Sequence, residues 1–174
     1  MSSALWIART AIFIAVLVVA QLVTTQFGTT LITGSLVNMI LILAVMTCGF
    51  SSGLTVAVVS PIVAKLLGIG PFWSIIPFII IGNFVLVALW HKIGNRQTHN
   101  RSIDWVLALI LAAVAKFIVI FLGVTKIAIP ILLSMTEPQA TALSTAFSFP
   151  QLCTACIGGI LAILLLPSLK KVIR

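Results

Sequence analysis

Six runs of apolar residues divide the chain, at roughly 5–27, 34–50, 53–69, 72–91, 104–126 and 147–167, with polar and basic residues gathered between them. A membrane-crossing helix needs about 20 apolar residues, so the pattern predicts six spans joined by short loops. The runs are apolar on every side. Strands of a porin-like barrel alternate polar and apolar positions instead. The predicted fold is therefore an all-α membrane protein, one domain over 1–174 built as a compact bundle of six transmembrane helices. Gly49-Phe50-Ser51-Ser52-Gly53 reads as a tight turn between the second and third spans. Pro61 and Pro77 fall inside the third and fourth, where they are expected to kink a helix whose freed carbonyls find neighbouring donors. The run Ala11–Val23 lacks an A-x-A cleavage site and leads into further spans, so it reads as a retained first helix, not a signal peptide.

Composition agrees. Of 174 residues, 61% are hydrophobic and 7% charged, against about 25% charged in an ordinary soluble domain. A soluble enzyme, a secreted disulfide scaffold and a disordered tail are excluded. Ten Lys+Arg against two Asp+Glu give a net charge of +8. In a soluble chain that excess would suggest nucleic acid. Here Arg9, Lys92, Arg96, Arg101, Lys170, Lys171 and Arg174 flank apolar runs, so the charge reports membrane topology and no nucleic-acid partner is expected. The positive-inside rule then puts both termini in the cytoplasm, with the loop His91–Asp104 and the end after Pro167 on the same side. The outer segments near 28–33, 69–72 and 127–146 contain only Glu137, with Lys126 at their edge. Trp6, Trp90 and Trp105 fit an aromatic belt at the inner boundary. The segment Ile127–Ala146 mixes Pro130, Pro138 and several Ser/Thr with Ile131, Leu132 and Leu133, which suits a partly buried lid or an ordinary loop.

Catalytic chemistry has little to work with. Acid–base catalysis, metal sites and nucleophilic triads need carboxylates, histidines or activated hydroxyls brought together. Asp104, Glu137, His91 and His99 are the only acidic and imidazole groups, and the expected topology puts Glu137 across the membrane from the others. No enzyme, metal site or cofactor is expected, and no phosphate-binding G-x-x-x-x-G-K-[ST] motif is present. Cys153-Thr-Ala-Cys156 has C-x-x-C spacing but lies in an apolar run with no second pair, and all three cysteines are expected to be small buried residues.

Two features point elsewhere. Ala4, Ala8, Ala11 and Ala15 share one face of the first helix. A stripe of small side chains lets another helix approach closely, whether that helix belongs to the same bundle or to a partner. Similar stripes at Ala108, Ala112, Ala115 and at Ala155, Gly159, Ala162 are expected to pack internally. The second feature is Lys116, near the middle of the fifth span, with no carboxylate in any span to neutralise it. An intramembrane lysine normally faces a cavity or a partner; Lys65, nearer a span end, can snorkel to the headgroups. Asn38 and Asn83 need hydrogen bonds in an apolar setting, from another helix or a ligand. Gln151 and Thr154 add polar lining, and Trp73 is either an interfacial anchor or a stacking surface.

Together these residues resemble the substrate-binding S component of energy-coupling factor (ECF) vitamin transporters, over essentially the whole chain. Ala11-x-x-x-Ala15 is similar to the family's A-x-x-x-A motif, and Gly34–Asn38, Ser60–Ala64 and Pro77–Asn83 resemble S-component segments. The resemblance implies a binding subunit without its own ATPase. It would dock through the helix-one alanines onto a transmembrane T component served by two ATP-binding cassette ATPases. It also implies a pocket at Trp73, Asn83, Lys116 and Gln151, with Asn38 nearby, beneath a lid from Ile127 to Ala146. On the general resemblance more than on any one residue, the preferred ligand is pyridoxine or hydroxymethylpyrimidine, which would suit stacking on Trp73 and a few amide bonds; pantothenate, an anion that would pair with Lys116, is the next. The competing readings are a ligand-free accessory subunit and a self-sufficient secondary transporter.

Overall fold

In lipid a backbone N–H or C=O has no water to turn to, so each apolar run must satisfy its own hydrogen bonds by coiling into a helix. The protein, a computed structural model, is described over residues 3–28, 30–96 and 100–173. Expectations involving His99 and Arg174 lie outside the described residues. The helices are α1 (Ser3–Thr25), α2 (Thr30–Cys48), α3 (Phe50–Leu66), α4 (Ile76–Gly94), α5 (Arg101–Ile120), α6 (Glu137–Ala146) and α7 (Phe149–Ile173). A 3-10 turn, Trp73–Ile75, leads into α4, and α5 continues as a π-helical stretch, Phe121–Leu132. Five of the helical stretches are long and apolar enough to cross a membrane: Ser3–Thr25, Thr30–Cys48, Trp73–Gly94, Arg101–Leu132 and Glu137–Lys171. The sixth apolar helix, α3, has 17 residues, the lower bound for a span. The chain is thus the all-helical bundle expected, with α6 as a short extra helix inside the segment read as a lid.

α2 is the centre of the bundle and sits against α1, α3, α4 and α7. Its continuous buried stretch Ile40–Met46 meets Leu17 of α1, Val56 of α3, Leu86 and Trp90 of α4 and Leu166 of α7 in one core. Helix α1 is peripheral: only Thr10, Leu17, Val18 and Thr24 are buried. Of the stripes expected to pack internally, Ala155, Gly159 and Ala162 are buried, as are Ala108 and Ala112, while Ala115 is half-buried.

Several local expectations change. The turn at 49–53 contracts to one non-helical residue, Gly49, whose φ of 90° strains any residue with a side chain. Pro77 lies in the first turn of α4, where its missing N–H costs nothing and no kink is needed. Helix α7 runs through Pro167 to Ile173, past the expected end of the sixth span. Trp90 is completely buried and Trp105 nearly so, its indole Nε1–H donating to the Gly94 carbonyl at 3.2 Å. Both belong to the buried core. The three cysteines are free and half-buried.

Candidate functional site

Two close approaches, each allowed by a missing side chain, assemble the site. A Cβ on Gly158 of α7 would lie 2.5 Å from the Ser35 carbonyl oxygen and 2.7 Å from Asn38 Cβ of α2. A Cβ on Gly82 of α4 would lie 2.7 Å from Ile120 of α5. Glycine at 158 lets α7 lie against the backbone of α2, and glycine at 82 lets the Ile120 side chain of α5 lie against the backbone of α4. Asn38, Asn83, Lys116 and Thr154 are thereby brought within hydrogen-bonding reach although they come from four helices.

The centre of the cluster is Lys116, only 3% exposed. Its Nζ donates to Asn38 Oδ1 at 2.5 Å and to Asn83 Oδ1 at 2.7 Å. Asn38 in turn donates through Nδ2 to Thr154 Oγ1 at 3.3 Å, and Thr154 donates to the Gln151 carbonyl at 3.0 Å. Gln151 Nε2 donates to the Ala146 carbonyl at 3.2 Å, tying the start of α7 to the end of α6. An ammonium has three N–H donors. Two of them are held by neutral amide oxygens, which solvate the charge without cancelling it, and no carboxylate takes the third.

Above this cluster opens a cavity of about 370 Å³, within the size range of small-molecule sites. Asn38, Asn83, Lys116 and Gln151 all line it. Trp73 does not: it is 53% exposed on the 3-10 turn and is not among the lining residues. Phe147, just after α6, is the aromatic wall instead. No residue of 127–146 borders the cavity, and its rim comes from Gly28, Thr30 and the turn Ile69-Gly70-Pro71. The segment 127–146 is split between the π-helical stretch and α6, and its apolar residues Ile129, Leu133 and Leu143 pack on Ile75, Ile120 and Val124 in a second small core. Helix α6 instead walls a separate open groove of about 540 Å³ with Glu137 and Thr141, facing Phe149 at the start of α7. Lys65 is half-buried near the end of α3 and lines no part of the cavity.

Gln21 and Thr25 of α1 and Thr33 of α2 were missed by the sequence reading and also line the cavity. Gln21 Oε1 is buried without a hydrogen-bond partner, and such a buried acceptor calls for a donor. The rule applied to Asn38 and Asn83, a lone amide inside an apolar run, would have found Gln21 within Ala20-Gln21-Leu22-Val23.

The alanine stripe of α1 has a different setting. Ala4, Ala8, Ala11 and Ala15 are all exposed, so among the described residues no helix covers that face. The interior grip of α1 lies elsewhere, in the Leu17 packing and in a 2.6 Å hydrogen bond between Thr10 and Ser52 of α3.

No curated protein and no solved structure matches the chain. The sequence profile of the family described as ECF transporter, substrate-specific component, matches residues 6–169. That match runs from the first turns of α1 almost to the end of α7 and takes in every residue of the cavity. The chain therefore belongs to the substrate-specific components of ECF transporters.

Proposed function

We propose that this S component captures a small vitamin or vitamin precursor bearing a carboxylate in the cavity over Lys116. The observation that carries the reading is a membrane-buried ammonium held only by neutral amides, with one N–H left for a ligand. A ligand carboxylate accepting that N–H supplies the missing counter-charge in a low-dielectric setting, where a charge-assisted bond is about twice as strong as a neutral one. Gln21 Oε1 suits a hydroxyl or amide N–H on the same ligand. The neutral heterocycle expected from the family resemblance would have suited stacking on Trp73, and Trp73 is not in the lining. Pantothenate, an acid with hydroxyls and an amide, has the required groups.

The remaining assignments follow the family, whose members associate with a T component and ATPases. The exposed stripe Ala4/Ala8/Ala11/Ala15 is the docking face for the T component. The 370 Å³ cavity opens outward and both termini are cytoplasmic, in keeping with basic residues at the opposite end of the bundle. Protein purified gently in mild detergent is expected to carry its ligand into native mass spectrometry, and the bound mass should be that of a carboxylic acid. Titration should then show the acid binding at least about tenfold more tightly than its neutral amide, about 1.4 kcal/mol. A neutral heterocycle as the bound species would overturn the carboxylate assignment. Failure to bind any vitamin at micromolar supply would overturn the role of the cavity.

A further inference from the structure

A second cavity lies at the other end of the bundle. It measures about 490 Å³ and is bounded by Arg9 of α1, Thr47 of α2, Arg101 and Trp105 of α5, and Lys170 and Lys171 of α7. Three helices thus deliver four cationic side chains into one concavity. The carboxylate near them among the described residues is Asp104, buried in the first turn of α5. One carboxylate against four cations leaves a strong excess of positive charge. Clusters that only mark topology need not converge: Lys92 and Arg96 lie at the same end, exposed, and take no part in the lining.

Position narrows the ligand further. Arg101 is the first residue of α5, and Lys170 and Lys171 are in the last turn of α7. Below them the walls become apolar through Met46, Trp105 and Pro167. The cavity therefore sits where hydrocarbon gives way to headgroups. Lys170 Nζ stands 5.8 Å over the Trp105 ring, which holds one cation against the apolar floor. Arg101 and Lys171 are exposed at the rim, able to approach from the aqueous side. A guanidinium and ammonium groups at one site match the oxygens of a phosphate, and a phosphate at this depth is one carried by a lipid.

We propose that this cavity binds the phosphate headgroup of an anionic phospholipid. Basic pockets between membrane helices at the cytoplasmic side serve that chemistry in general. The site is independent of the vitamin cavity, which opens at the opposite end of the bundle.

The test is native mass spectrometry of the full chain supplied with phosphatidylglycerol or phosphatidylcholine. Wild type should retain phosphatidylglycerol about tenfold better than phosphatidylcholine. The double variant Arg101→Gln/Lys171→Gln should lose that preference, and Arg101→Gln alone, at an exposed rim position, should weaken it. Lys92→Gln/Arg96→Gln removes the same charge outside the cavity and should leave the preference intact. Equal retention of the two lipids by wild type, or equal loss in both double variants, would overturn the proposal, since only diffuse attraction would then be at work. Glycerol phosphate at millimolar concentration should compete weakly with the lipid. If it binds as tightly as the lipid when no lipid is present, the ligand is a soluble phosphate and the lipid assignment fails.

Discussion

Lys116 shows how one residue sets the chemistry of a membrane protein. Several kcal/mol oppose a charge at the bilayer centre unless something solvates it, and here two asparagine carbonyls do so. Lys116→Met keeps the length and removes the charge. It is expected to weaken ligand affinity at least about tenfold, or about 1.4 kcal/mol, in titrations of the isolated protein; unchanged affinity would reduce Lys116 to a helix-packing residue. Trp73→Ala gives the opposite expectation. With its ring 53% exposed and outside the lining, its loss should leave affinity unchanged in the same titration. The chemistry of these two positions was equally visible in the sequence. Their difference was not, because Trp73 rides on a 3-10 turn whose direction depends on how α4 packs.

At the scale of elements, the site depends on how closely α2 and α7 approach and on the free face of α1. Gly158→Ala would put a methyl carbon 2.5 Å from a backbone oxygen of α2. The backbone cannot rotate out of the way, so the helices must separate, at about 1–3 kcal/mol for an overpacked contact. A lower thermal midpoint together with weaker ligand binding is expected, because Asn38 and Thr154 span the same seam. The alanine face of α1 should behave differently. Ala11→Trp or Ala15→Trp alters an exposed position, so ligand binding by the isolated protein should survive while uptake in cells containing the T component and ATPases is abolished. Loss of binding as well would show that the face serves the fold and not the partner. Helix existence was legible from the apolar runs. The ends were less so: α7 passes Pro167, and α5 extends into a π-helical stretch ending at Leu132.

The whole molecule is a bundle with two unlike ends, a cavity with one buried lysine among neutral polar groups at one and a cavity lined by four cationic side chains at the other. As an S component it is a transporter subunit with no catalytic domain of its own. Vesicles containing this chain alone should therefore show vitamin binding without accumulation, and accumulation should require the T component, both ATPases and ATP. Uptake by the chain alone would identify a self-sufficient transporter. The sequence by itself determined that the chain is helical and membrane-embedded, because 61% hydrophobic residues in spanning-length runs leave the backbone no other way to satisfy its hydrogen bonds. It also singled out Lys116, Asn38 and Asn83, because a polar group in an apolar run stands out wherever it ends up. Only the tertiary structure decided that these three meet, that Gln21 and Phe147 join them while Trp73 does not, and that the alanines of α1 are left uncovered. In an apolar chain the helix faces differ little from one another. Which face turns inward is therefore set by close contacts such as Gly158 against Ser35 and Gly82 against Ile120, which join residues far apart in sequence and leave no periodic trace along it.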